Sequence, residues 1–410
     1  MTEQTIFTIL LVIITADFAL ERVLSFLNLK SAKKPVPKEL EGIYDEERYV
    51  QSQAYQQDVS RFSTFSATFS FAFLFLALYL GWFGLLDEWV RTFSPLDLVS
   101  PLIFFGVLYV ISDLINIPFS LYRNFVIEAK YGFNKMTAKI FILDKIKGYI
   151  LTIIFGGLLL GTLIYLVNAI GSNFWYYFWA VMTAFVLFAN FFYTSLILPL
   201  FNKLTPMEDG ELKSSIQSYC DQVKFPLQNI FIMDGSKRSS KGNAFFSGLG
   251  KRKKVVLFDT LVEKHTVEEL TSVFAHEVGH FKKKHILFST IFSIGLMGLM
   301  LFLFSRMAYS AEVSWAMGGQ TSALHLNLLA FGILYTPIST LFGIIGNIIS
   351  RKNEFEADAY AKETYEGEPL VTSLKKMSAD HLTNLTPHPV YVFVHYSHPP
   401  LKERVSALES

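Results

Sequence analysis

The chain has 410 residues, 51% hydrophobic and 16% aromatic, and only 17% are charged, well below the roughly one quarter of an ordinary soluble domain. Lys+Arg 36 against Asp+Glu 35 leaves a formal net charge of +1, which excludes a global field suited to nucleic acid or to a strongly acidic partner. A single cysteine, Cys220, excludes an intrachain disulfide and a cysteine-based metal cluster, and leaves histidine and carboxylate as the available ligands.

A membrane helix needs about 20 mostly apolar residues. In chain order, spans are expected at 5–27, 64–86, 99–121, 149–170, 174–198, 286–307 and 325–349. The first keeps Met1, carries Asp17, Glu21 and Arg22, and lacks a basic front and a small-residue cleavage site, so it reads as a retained helix. Basic residues concentrate in alternate connections: Lys30, Lys33, Lys34, Lys38 and Arg48 in the first, six from Arg123 to Lys147 in the third, and Lys251 to Lys254 in the fifth. Positive charge stays inside. The N-terminus is therefore expected outside, with the odd-numbered loops and the tail in the cytosol.

The chain then divides into 1–200 with five spans, a cytosolic segment 201–285, a pair of spans in 286–350 and a cytosolic tail 351–410. Within 201–285 the pattern predicts a helix over 211–223, strands at 229–233, 243–248 and 255–259, a turn at "LGKRKK", and a helix from 267. Thr266 with Glu269 three residues on marks that helix start as a capping box. The fold class is mainly α, a polytopic membrane protein with a cytosolic domain containing a small β-sheet.

The chemistry lies in "FAHEVGHFKKKHILFSTIF", 274–292. On a helix, His276 and His280 share a face, which suits two ligands of a catalytic zinc, and Glu277 stands beside them as base for a water. A third ligand is expected in "RKNEFEADAYA" after the last span. Glu354 and Asp358 are four apart and share a face, whereas Glu356 points nearly opposite. Glu354 is assigned as the third ligand and Asp358 as the acceptor that orients a ligand histidine. His280 lies six residues before the sixth span, about 9 Å along a helix axis. Both metal-binding helices are thus expected to continue from membrane helices. His285 falls on another face and is left out of the ligand set.

The motifs "HEVGH", "NEFEADAYA", "YSHPPLKER", "GSKRSSKGNAFFSG" and "IEAKYGFNK", in this order-specific combination, resemble the Ste24 type of CAAX prenyl protease, an integral membrane zinc metalloprotease of the M48 family. The resemblance runs over nearly the whole chain. It implies seven transmembrane helices forming a barrel around a water-filled intramembrane chamber, with one Zn2+ on His276, His280 and Glu354 and Glu277 as base. It also implies that His398 and Arg404 approach the substrate carbonyl and the acids behind the ligands, and that Asn243 and Ala244 sit on an edge strand that pairs with extended substrate.

The expected substrate is a peptide or protein, prenylated or not, reached from the bilayer or the cytosol. No nucleic acid and no oligomer are implied. A tail that stops at Ser410 without a retrieval signal points to a bacterial inner membrane, with the endoplasmic reticulum as the alternative. A broad membrane quality-control peptidase and a zinc-holding transporter without hydrolysis are the competing functions. A transporter would place its histidines and acids near mid-membrane rather than on helix extensions.

Overall fold

The computed structural model describes residues 1–93, 98–247 and 253–410. Helices α1 (Glu3–Ser31), α2 (Glu46–Tyr79), α3 (Trp82–Phe93) and α4 (Val99–Tyr122) come first, and α4 runs on as a π-turn to Glu128. There follow α5 (Ala138–Leu151), α6 (Gly157–Ile170), α7 (Phe174–Phe192), α8 (Leu198–Phe201), α9 (Glu211–Gln222), α10 (Asp259–Val262) and α11 (Val267–Lys282). The last are α12 (His285–Ser305), α13 (Ala311–Ala316), α14 (Leu324–Thr364), α15 (Gly367–Asp380), α16 (Pro389–His395) and α17 (Leu401–Glu409).

Among the described residues, five helical stretches are long and apolar enough to cross a membrane: Glu46–Tyr79, Val99–Glu128, Ala138–Phe201, His285–Ser305 and Leu324–Thr364. The third of them contains two predicted spans, 149–170 and 174–198. It folds back at Gly171, whose φ of 72° is in the left-handed region that glycine tolerates. Leu163 and Val167 of α6 and Phe174 and Phe178 of α7 consequently share one apolar cluster. The first predicted span is α1, 29 residues long, which is not among the five. The second predicted span overshoots, because α2 ends at Tyr79 and the chain turns before α3.

Strands β1 (Leu204–Pro206), β2 (Leu227–Met233), β3 (Ala244–Ser247) and β4 (Lys253–Phe258) form a mixed sheet in the order β1-β2-β4-β3. β1 is antiparallel to β2, β2 parallel to β4, and β3 antiparallel to β4 with Ala244 opposite Leu257. The predicted strands are present, and β1 is an addition. The predicted turn at 249–254 lies, for its first four residues, outside the described residues.

One core joins pieces far apart in sequence. Leu40 from the first loop, Ile216, Tyr219 and Cys220 of α9, Val255 and Leu257 of β4, Phe274 and Val278 of α11, and Val405 of α17 are buried together. Burial pushes the Cys220 thiol up to about 12, so it is an inert core residue. Two of the motifs quoted above meet as a seam beside this core. Lys135 N–H donates to the Arg238 carbonyl at 3.0 Å and Ser240 N–H to the Phe133 carbonyl at 3.1 Å. Arg238 makes a two-pronged pair with Asp144 at 2.8 and 2.9 Å, and Lys241 reaches Glu128 at 3.1 Å. These contacts tie the sheet to α4 and α5.

The two helices expected to continue from membrane helices differ. α14 is unbroken over 41 residues, about 60 Å, roughly twice the hydrocarbon thickness. α11 does not continue into α12. It ends at Lys282, and Lys284 takes a left-handed conformation (φ 61°, ψ 27°) before α12 starts at His285. The physical reason is the end of helix α11, where lysines at 282–284 complement the negative C-terminal end and a left-handed residue terminates the hydrogen-bond ladder.

Candidate metal centre

Helix α11 begins as the sequence predicts, with Thr266 and Glu269 forming both bonds of a capping box. One turn of α11 and one turn of α14 then face each other. Gly279 sits at their closest approach: a Cβ there would stand 3.0 Å from Ala357 Cα and 3.1 Å from the Ala357 carbonyl oxygen. The glycine inside "HEVGH" is thus a packing requirement that lets the carboxylate of α14 reach the histidines of α11.

The result is a tight triangle. His276 Nε2 and His280 Nε2 are 3.1 Å apart, His280 Nε2 is 3.2 Å from Glu354 Oε1, and His276 Nε2 is 3.5 Å from Glu354 Oε2. Ligands about 2.05 Å from a tetrahedral zinc are separated by roughly 3.3 Å, which these distances match. Glu354 Oε2 is buried without a hydrogen-bond partner, an acceptor that a cation would satisfy. Two imidazoles and a carboxylate are the donor set of a catalytic zinc with an open position.

Around the triangle, Asp358 Oδ1 lies 2.8 Å from His276 Nδ1, on the side of the ring away from Glu354. Arg404 of α17, nearly buried, grips Asp358 with Nε at 2.8 Å and Nη2 at 2.6 Å, and its Nη1 is 3.5 Å from Glu354 Oε2. The donors of Arg404 are therefore directed at the acids behind the ligands. His398 is exposed, with Nε2 3.4 Å from Glu354 Oε1 and Nδ1 3.0 Å from Ser397 Oγ. Glu277 is half-buried beside the histidines, and burial raises its carboxyl above the ordinary range. Ala244 opens β3, which is an edge of the sheet, and Asn243 immediately precedes it. Ala244 packs with Phe246 on the same core as α11. Two residues outside the expected set also belong to the surroundings: His285 Nδ1 is 3.0 Å from His280 Nδ1, and His285 Nε2 is 3.1 Å from Glu356 Oε2. The usable signal was the lysine run ending at Lys284, which marks a helix end and hence a change in the direction of His285.

A multi-pass helical membrane protein that sets a His-Glu-His motif on one helix against a glutamate carried by the extension of a long apolar helix is an integral membrane metallopeptidase. Residues 206–410 match the model of peptidase family M48, and residues 25–203 match the CAAX prenyl protease N-terminal model, with five membrane helices. CAAX prenyl protease 1 of Saccharomyces cerevisiae is 33% identical over 96% of this chain and 93% of that protein. The CAAX prenyl protease 1 homolog of Oryza sativa subsp. japonica is 35% identical over 96% and 94%, and that of Homo sapiens 32% identical over 92% and 89%. The crystal structure of S. mikatae Ste24p superposes with a TM-score of 0.94 at 33% identity, covering 99% of both chains. The chain belongs to the CAAX prenyl protease family within peptidase family M48. That family is one of metallopeptidases, whose metal is generally zinc.

Proposed function

We propose that this protein is a zinc-dependent endopeptidase that removes the C-terminal tripeptide of prenylated CAAX proteins. The observation that carries the reading is the triangle of His276, His280 and Glu354 at 3.1–3.5 Å with Glu277 beside it. The substrate class rests on relatives named CAAX prenyl protease 1 that match nearly end to end. One Zn2+ held by these three side chains would lower the pKa of its water towards 7 and polarise the scissile carbonyl. Glu277 takes the proton of the attacking water and returns it to the leaving amine. His398, exposed beside Glu354, donates to the carbonyl oxygen as negative charge develops there. Asp358 keeps His276 in the tautomer with Nε2 free, and Arg404 holds Asp358 and Glu354 in place rather than touching the substrate. The free edge of β3 at Asn243 and Ala244 takes extended peptide as an added strand.

The finer architecture belongs to the same reading: seven spans, counting α1 and the two halves of Ala138–Phe201, around a wet interior. Its support is polar side chains at span depth. Thr68, Asn116 and Asn190 are exposed, and their side chains bond only to their own helices, at Thr64, Ser112 and Val186. Facing lipid they would be costly, so water inside a chamber is the consistent surrounding. The site faces the cytosol with the N-terminus outside, because the shared core collects the first loop, the segment after α8 and the tail at the end where the basic loops lie.

The test is hydrolysis of a farnesylated CAAX peptide and its unmodified twin by the detergent-purified protein, with and without a zinc chelator. Chelator-sensitive cleavage of the farnesyl peptide alone supports the reading. Equal cleavage of both replaces it with a broad membrane peptidase. Glu277→Gln should keep zinc and lose about 10²–10⁴-fold in rate; undiminished turnover would remove Glu277 as base.

A further inference from the structure

The two metal-facing histidines are supported differently. His276 leans on a carboxylate directly, through Asp358 at 2.8 Å. His280 has no carboxylate on its Nδ1 side. There it meets His285, whose side chain is only 7% exposed, and His285 in turn meets Glu356, 39% exposed, at 3.1 Å. We propose that His285 and Glu356 are positioning residues of the metal site, a two-step relay that orients His280 and fixes its tautomer.

The proton assignment follows from the partners and leaves one solution. His280 faces the triangle with Nε2, so its proton must be on Nδ1 when a cation is bound. That N–H points at His285 Nδ1, which must therefore accept. The remaining proton of His285 is then on Nε2, and it donates to Glu356, whose carboxylate only accepts. Every donor in the chain finds an acceptor, and Glu356 anchors the end as Asp358 does for His276. His285 is not a fourth ligand, because it lies against the Nδ1 side of His280, away from Glu354. Glu354, Glu356 and Asp358, all within little more than one turn of α14, thus serve three different roles. Glu354 faces the metal, Asp358 holds one histidine, and Glu356 holds the other through His285.

The relay depends on the break between α11 and α12. In a continuous helix His285 would lie about 140° around the axis from His280. The left-handed Lys284 turns the chain so that the two imidazoles meet, with ring centroids 5.1 Å apart.

This inference rests on the zinc reading of the triangle, and the experiment separates the two. The zinc dissociation constant of the full-length protein in detergent is measured by chelator competition for wild type, His280→Ala, His285→Ala, Glu356→Gln and the double variant His285→Ala with Glu356→Gln. Unfolding of the metal-free forms is followed in parallel. Removing a group that orients a metal-bound histidine typically costs 10–100-fold in affinity. The expectation is that loss for His285→Ala, a smaller loss for Glu356→Gln, and a double variant no weaker than His285→Ala alone. Glu356 is at the surface, so Glu356→Gln tests the relay even if His285→Ala lowers folding stability. Wild-type affinity in both single variants overturns the relay, and so do losses that simply multiply in the double variant. Abolished binding in His285→Ala, equal to His280→Ala, makes His285 a ligand and also overturns it. Undiminished zinc binding in His280→Ala overturns the underlying metal reading together with the relay.

Discussion

Helix α14 and the α11/α12 pair each bring part of the His276, His280 and Glu354 triangle to one place, but they do it in opposite ways. α14 is one unbroken rod of 41 residues that takes Glu354 past the end of a span without a turn. The other arm is cut at Lys283 and Lys284, so the histidines stand on a short helix whose direction is independent of the span after it. The difference teaches that the centre is assembled from one rigid pillar and one jointed arm. The pillar sets where the carboxylate is; the joint lets α11 lie flat against it at Gly279 and brings His285 back to His280.

The largest loss is expected at the pillar. Ile349→Pro, just over one turn before Glu354, removes a ladder bond and costs about 3 kcal/mol or more. The expected result is loss of stoichiometric zinc by metal analysis, and retention of tight zinc would show that α14 need not be rigid. Next is the contact between the arms. Gly279→Ala places a methyl 3.0 Å from Ala357 Cα, and overpacking of this kind costs about 1–3 kcal/mol. Its zinc affinity should fall while the two histidines and Glu354 remain, and wild-type affinity would show that the two helices can part at this contact.

The joint itself should tolerate what the pillar does not. Lys284 has φ 61°, so Lys284→Gly relieves a backbone cost of about 1 kcal/mol and should leave zinc affinity unchanged while raising Tm slightly. Lys284→Val should lower both, and the reverse order would remove the joint from the argument. The effect with least bearing on zinc concerns stability alone, at His381 after α15. Burial holds the His381 imidazole at about 4, below its ordinary 6.5. Between those values the unfolded chain binds a proton that the folded chain does not, so stability is full above pH 6.5 and declines as pH falls towards 4. Thermal melts across this range should flatten in His381→Gln, and an unchanged slope would assign the pH dependence to other groups.

Local periodicity sufficed for much of the molecule. Apolar runs of span length, the capping box at Thr266 and the short apolar run of β4 are decided by residues close in sequence, where solvation of side chains dominates. The pairing of His276 and His280 is of the same kind, since helical geometry alone puts residues four apart on one face. The turn at Gly171 falls where the two apolar runs were separated, and the lysine run marks the break at Lys284, whereas the end of α2 at Tyr79 was harder to place, because Ala77 and Leu78 are buried against residues of α13 and α14. Glu356 was read as pointing away from the site; its side chain instead meets an imidazole delivered by another helix.

Residue order alone was enough to mark this chain as a membrane protein and to pick out His276, His280 and Glu354 as side chains that could hold a cation. Only the tertiary structure decided that Glu354 closes a triangle with histidines 74 and 78 residues earlier, that Arg404 is committed to Asp358, and that His285 is joined to His280. The physical reason is the range of the forces. Hydrophobic periodicity and helix geometry act over a few residues, whereas the centre depends on two backbones approaching at Gly279, a distance that no local pattern encodes.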